Sequence, residues 1–156
     1  MGQKIVVLGT GGTIAGRLLP GGSYQAGAFS LGALLADRDT LELVDVAQLD
    51  SKDMDLPVWR NLVAALVTAL ARPDVQGVLV THGTDTVEDT AWLVQALFGL
   101  ADKPIVFACA MRPADHVAPD GPGNFADALA VVRDPQAAAR GVLLVCAGQV
   151  HAAQHV

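Results

Sequence analysis

Five short apolar runs constrain this chain more than any other feature: Lys4 to Gly9, Leu41 to Val46, Gln76 to Thr81, Pro104 to Cys109 and Gly141 to Cys146. Each has the length and the Val/Leu/Ile content of a buried strand. Helical patterns lie between them, over Phe29 to Ala36, Leu56 to Arg72, Val87 to Leu100 and Asn124 to Arg133. The second of these helices has Asp55 as an N-cap candidate, Pro57 in its first turn and Pro73 as a stop. Asp134-Pro135 stops the last. Strands alternating with helices predict an α/β fold of three layers, α/β/α, around a mainly parallel sheet. The exception is Ile14 to Ala28, which carries Gly16, Gly21, Gly22 and Gly27 and reads as a mobile loop.

Composition agrees. With 156 residues, 52% of them hydrophobic and 17% charged, the chain has material for one well-buried domain and is not a disordered polymer. Aromatic residues are only 4%, so the core must be built from Val, Leu and Ala, as in parallel sheets buried on both faces. The net charge of −6, without basic clusters, argues against nucleic acid or an anionic membrane as partner. No apolar run reaches membrane-spanning length, and the start reads as a strand rather than a signal peptide. Cys109 and Cys146 each end an apolar run, have no metal-binding spacing, and read as buried inert thiols. A cytoplasmic protein is expected.

The polar residues are not scattered. Thr10-Gly11-Gly12-Thr13 follows the first strand, Asp50-Ser51-Lys52-Asp53 comes shortly after the second, Thr81 to Asp85 follows the third, and Ala110-Met111-Arg112-Pro113 the fourth. In a parallel sheet these clusters collect along the carboxyl edge, where ligands bind in folds of this kind.

Gly9 to Gly16 invites a nucleotide reading that fails in detail, because Ile14 stands where the GxGxxG pattern needs Gly or Ala and no P-loop lysine is present. The turn reads either as glycines supplying unusual backbone angles or as a hydroxyl nucleophile beside exposed backbone donors. Asp85 with Glu88 three residues on fits a capping box, a role compatible with a polar ligand at the same helix N-terminus. His82, at a strand exit, is expected to orient the turn through hydrogen bonds rather than to catalyse. Tyr24, the lone tyrosine, sits in the glycine-rich loop beside Thr13 and is placed to close over it. His151 and His155 are spaced as helix neighbours, but no carboxylate or cysteine pattern completes a metal site with them.

With both threonine turns in view, the chain resembles the bacterial-type L-asparaginases over nearly its whole length. Thr10-Gly11-Gly12-Thr13-Ile14-Ala15 is similar to the family's first signature and His82-Gly83-Thr84-Asp85-Thr86 to its second. Ser51-Lys52-Asp53-Met54, Ala110-Met111-Arg112-Pro113 and Asp120-Gly121-Pro122 resemble three further segments, in the family's order. The resemblance implies a flavodoxin-like N-terminal asparaginase domain over residues 1–156, with the family's second, smaller domain absent. It implies an amidohydrolase that converts L-asparagine to L-aspartate and ammonia, with L-glutamine as a second substrate, no cofactor or metal, and a homo-oligomeric full-length enzyme. In that comparison Thr13 matches the nucleophile, Tyr24 the tyrosine of the mobile lid, Thr84 and Asp85 the second threonine and the aspartate that meets the substrate amino group. Ser51 matches the serine that helps hold the α-carboxylate.

The family's lysine, which joins the second threonine and aspartate in a triad, has no match at Lys4, Lys52 or Lys103 and would fall beyond Val156. A chain of these residues alone is therefore expected to be inactive or nearly so. The alternative class is a non-catalytic amino-acid-binding module that keeps the ligand shell.

Overall fold

The structure, a computed structural model, describes residues 3–20, 24–28 and 40–156. The expected helix over Phe29 to Ala36 lies outside the described residues. The main strands are β1 (Lys4–Gly11), β4 (Leu41–Leu49), β5 (Val75–Thr81), β6 (Ile105–Ala108), β7 (Val142–Cys146) and β8 (Gln149–Ala152). They form one sheet in the order β4-β1-β5-β6-β7-β8. The first five are parallel, and β8 is antiparallel to β7. Taken in chain order the parallel strands run 2-1-3-4-5, the flavodoxin-like doubly wound arrangement.

Three helices are described: α1 (Leu56–Leu70), α2 (Val87–Phe98) and α3 (Gly121–Arg133). Successive residues of a strand face opposite ways, and the two cores sort accordingly. Val6 and Leu8 of β1 join Val78, Val80 and Phe107 under Leu62, Leu66, Ala91 and Val94 of α1 and α2. Ile5 and Val7 join Leu79 and Val106 under Phe125, Ala128 and Val132 of α3. Helices thus cover both faces, giving the three layers expected from the alternation of runs. Leu62 and Leu66 are fully buried, so truncating either to Ala costs about 2–5 kcal/mol.

Local chemistry explains the helix ends. The Asp55 carboxylate accepts the Val58 N–H at 2.9 Å, and Pro57 stands in the first turn of α1. Trp59 Nε1 donates to Thr90 Oγ1 at 3.0 Å, tying α1 to α2. Lys103 Nζ donates to the carbonyls of Leu70 and Arg72, a cation on the last turn of α1 where the helix dipole favours it.

Two expectations need correction, and one strand was not expected. The stretch Ile14 to Ala28 is not wholly a loop: β2 (Arg17–Leu18) and β3 (Tyr24–Gln25) pair antiparallel within it, Leu18 opposite Tyr24. β8 was hidden because its hairpin turn is Ala147-Gly148, with φ of 52° and 73°. Both values belong to a two-residue hairpin turn that usually advertises itself by Asn or Asp at the first position. Finally, Asp85 does not cap α2. The N-cap is Thr86, whose hydroxyl instead donates to the Ser51 carbonyl at 2.8 Å.

Candidate active site

In this strand order the chain leaves β1 for β4 on one side and then crosses back to β5 on the other. The crevice where such a winding reverses lies at the carboxyl ends of β1 and β5. Thr13 follows β1 and Thr84 follows β5, so both threonine turns fall at that point.

Backbone contact joins the two turns. Gly12 has φ +75°, a conformation an L side chain rarely adopts, and a Cβ there would overlap the nitrogen and Cα of Gly83. A Cβ on Gly83 would in turn overlap the Ser51 hydroxyl and stand 3.1 Å from the Gly12 Cα. Three chain segments therefore meet where only glycine fits. Hydrogen bonds hold them: Thr10 Oγ1 donates to Thr81 O at 3.0 Å, and the Gly12 N–H donates to Leu49 O at 2.9 Å. The Gly12 carbonyl accepts the Gly27 N–H at 3.1 Å, which fastens the end of the β2–β3 hairpin to the Thr13 turn. Tyr24 thus lies on a hairpin anchored beside Thr13, and its backbone pairs with Leu18.

Ser51 is the third wall. It is 3% exposed, and its Oγ accepts the Asp85 N–H at 3.1 Å. Next to it, Asp50 accepts from the Lys52 backbone and ammonium, the latter at 2.7 Å. The Lys52 ammonium holds the Asp50 carboxyl below its usual range despite partial burial. Thr13 and Thr84 are half-buried and Asp85 is exposed, so solvent reaches these three residues, while Gly12, Ser51 and Gly83, all buried, form a closed floor.

His82 belongs to that floor. It is fully buried, with its ring 6.1 Å from that of Phe107, and its backbone N–H donates to Ala108 O at 3.0 Å. Its Nδ1 lies 2.8 Å from Gly83 O. Burial pushes the imidazole below its ordinary value.

The fourth cluster is braced by residues that sequence reasoning treated only as motif members. The Asp120 carboxylate accepts the N–H groups of Met111 at 3.0 Å and Arg112 at 2.8 Å. Burial alone would raise this carboxyl, but the amides of Met111, Arg112 and Asp120 itself, with the Arg112 charge, together outweigh it and hold it below the usual range. Asn124 donates to Cys109 O at 2.9 Å and accepts the Ala147 N–H at 3.1 Å, bridging the ends of β6 and β7. The sequence signal for both was the polar Asp120 and Asn124 flanking a Gly-Pro-Gly helix start. Of the two thiols, Cys109 is buried and burial, then Cys146, pushes it up to about 12. Cys146 is only half-buried, a correction to the expectation for both.

The remaining expected residues lie elsewhere. Lys4 starts β1 and Lys103 sits against the end of α1, both at the opposite, amino-terminal edge of the sheet. His151 pairs with Leu144 in the β7–β8 ladder, and His116 Nδ1 accepts the Ala118 N–H at 3.0 Å. Among the described residues no helix is long and apolar enough to cross a membrane.

Comparison with known proteins agrees with this arrangement. Residues 4–156 match the family model described as asparaginase, N-terminal. The chain is 34% identical to a probable periplasmic L-asparaginase of Haemophilus influenzae, a match covering 98% of the chain and 45% of that protein. It is 34% identical to L-asparaginase 2 of Bacillus subtilis (98% and 43%) and 33% identical to a glutaminase-asparaginase of Acinetobacter glutaminasificans (99% and 49%). The crystal structure of a probable cytoplasmic L-asparaginase from Campylobacter jejuni superposes with a TM-score of 0.80 at 34% identity, over 97% of this chain and 48% of that one. The chain spans about half the length of the relatives it matches. Two threonine turns meeting at the switch point of a flavodoxin-like sheet, together with a family match over almost every residue, place this chain in the asparaginase family.

Proposed function

We propose that the protein is an amidohydrolase that cleaves the side-chain amide of L-asparagine to L-aspartate and ammonia through a threonine ester. The observation that carries this reading is the contact of Gly12, Gly83 and Ser51, which brings the Thr13, Thr84 and Asp85 turns to one crevice. In the proposed reaction the Thr13 hydroxyl attacks the amide carbon, and backbone N–H groups of the two threonine turns stabilise the oxyanion. Ammonia leaves, and water cleaves the ester. Asp85 takes the substrate α-ammonium, Ser51 helps take the α-carboxylate, and Tyr24 closes over the nucleophile from its anchored hairpin. A threonine hydroxyl needs a base. Lys4 and Lys103 stand at the wrong edge of the sheet, and Lys52 is an exposed cation already paired with Asp50. We assign none of them that role.

L-Glutamine is proposed as a second substrate, in keeping with the name of the Acinetobacter relative. Residues 1–156 are read as the α/β domain that carries the nucleophile, within a homo-oligomeric enzyme. The test is release of ammonia and aspartate from L-asparagine by the intact protein and by Thr13→Ala. Turnover that disappears in the variant supports the reading, and turnover that survives it removes Thr13 from the chemistry. Saturable L-aspartate binding without ammonia release by the intact protein would favour an amino-acid-binding module instead.

A further inference from the structure

The two thiols of the chain stand side by side. β6 and β7 run parallel, and their last registered pair is Ala108 with Val145. Cys109 and Cys146 are the next residue on each side. Neighbouring strands lie about 4.8 Å apart, inside the Cα separation of roughly 4.4–6.8 Å that a disulfide spans. Alternation puts both side chains on one face of the sheet. Phe107, Cys109 and Leu144 belong to the core under α1 and α2, and Cys146 packs against that core. The Cys146 side chain is a hydrogen-bonding partner of the Cys109 thiol. Asn124 fixes the two strand ends, since its amide donates to Cys109 O and its oxygen accepts the Ala147 N–H.

The pair is asymmetric. Cys109 is 2% exposed, and burial, then Cys146, pushes its thiol up to about 12, so it keeps its proton at neutral pH. Cys146 is half-buried and is followed by the exposed turn Ala147-Gly148. A small oxidant therefore meets Cys146 first, with Cys109 shielded behind it. An accessible sulfur beside a second one that can resolve it is the arrangement reversible thiol oxidation needs.

We propose that Cys109 and Cys146 are a modification site, at which a peroxide closes an intrachain disulfide between the ends of β6 and β7. In the first step the Cys146 sulfur attacks one peroxide oxygen and the O–O bond breaks. The products are a sulfenic acid on Cys146 and water, the thiol proton leaving with the departing oxygen. In the second step the Cys109 sulfur attacks the Cys146 sulfur, the S–O bond breaks, and hydroxide leaves with the Cys109 proton as water. The two thiols together give up two electrons, and one peroxide becomes two waters. The new bond lies one residue before Ala110-Met111-Arg112-Pro113, the fourth polar cluster. None of its atoms belongs to the threonine turns, so the inference does not depend on the amidohydrolase reading.

The test treats the reduced, intact protein with hydrogen peroxide and reads the quenched product by intact mass and non-reducing peptide mapping. The expected product has lost two hydrogens, contains a Cys109–Cys146 linked peptide within a single chain, and shows no free thiol in denaturant. Dithiothreitol should restore both thiols. Cys109→Ser removes the resolving sulfur, so Cys146 should stop at the sulfenic acid and be trapped by dimedone. Cys146→Ser should leave Cys109 reduced over the time in which the wild type loses both thiols. Peroxide that adds oxygen to Cys146 while Cys109 stays free, that links two chains, or that leaves both thiols intact overturns the proposal. The wild-type measurement needs no substitution, so it decides the proposal even where a serine disturbs folding.

Discussion

Gly12 lies backbone to backbone against Gly83, so close that a Cβ on Gly12 would overlap the Gly83 nitrogen and Cα. This contact joins the turn after β1 to the turn after β5 without any side chain between them. It makes both positions intolerant of substitution.

Gly83→Ala is the milder probe, since its Cβ meets the Ser51 hydroxyl and side chain and the Gly12 Cα rather than a strained φ. Gly12→Ala adds a positive-φ cost of roughly 1–2 kcal/mol to the overlap. Urea unfolding should show Gly12→Ala as the less stable of the two. Both should lose asparagine turnover. Wild-type stability in Gly12→Ala would show that the two turns are not in contact.

Ser51→Ala removes the acceptor of the Asp85 N–H inside a site that is 3% exposed. Asp85 itself is exposed, so water can replace the lost acceptor and the cost is that of one ordinary hydrogen bond, about 0.5–1.5 kcal/mol, measurable as a shift in the denaturation midpoint. Kinetically the variant should raise KM for L-asparagine by roughly tenfold, about 1.4 kcal/mol, while kcat changes less. A fall in kcat at constant KM would instead place Ser51 in the chemical step.

Stability should depend on His82 in mild acid. Its imidazole is held below the ordinary 6.5 by burial, so as pH falls below that value the unfolded chain takes up a proton that the folded chain refuses. The folded state therefore loses stability from about pH 6.5 down to the lowered folded value, and the loss then levels off. His82→Asn cannot titrate, and its stability curve should be flatter across that window. Parallel curves for the two proteins would mean that the imidazole is not buried as a neutral ring.

Asp120 acts in a lower window. Its carboxyl, held below the ordinary 3.8 by the Met111 and Arg112 amides, contributes stability that is complete above 3.8 and is lost as pH falls through the folded value. Asp120→Ala should destabilise the protein at pH 7 by about 1–3 kcal/mol, because two amides lose a charged acceptor. Amide hydrogen exchange should quicken at Met111 and Arg112 first.

Much of this was legible in the residues. The apolar runs became five parallel strands, with boundaries shifted by a few residues; in the four inner ones burial on both faces leaves a strong apolar signal, whereas the edge strand β4 is half-exposed and its run is broken by Glu42 and Asp45. Asp55 and Pro57 marked the start of α1 correctly. β8 was not legible, since Gln149-Val150-His151-Ala152 is a short edge strand whose turn uses Ala where Asn or Asp would have signalled it. The Asp85–Glu88 pattern misled for a different reason: a capping box is a local signal, and here the long-range bond from Thr86 to Ser51 prevailed. The gathering of Thr13, Ser51 and Thr84 followed from strand order. The contact of the His82 ring with Gly83 O and the braces at Asp120 and Asn124 did not, because each depends on which backbone groups three-dimensional folding leaves in need of a partner.

The central claim is that the Thr13 and Thr84 turns form one catalytic unit. It is tested most directly by kcat for L-asparagine in Thr13→Ala, Thr84→Val and the double variant. Groups that act as a unit are strongly non-additive. The account predicts that the double variant is no slower than the slower single variant. A double variant whose loss is the product of the two single losses would contradict it.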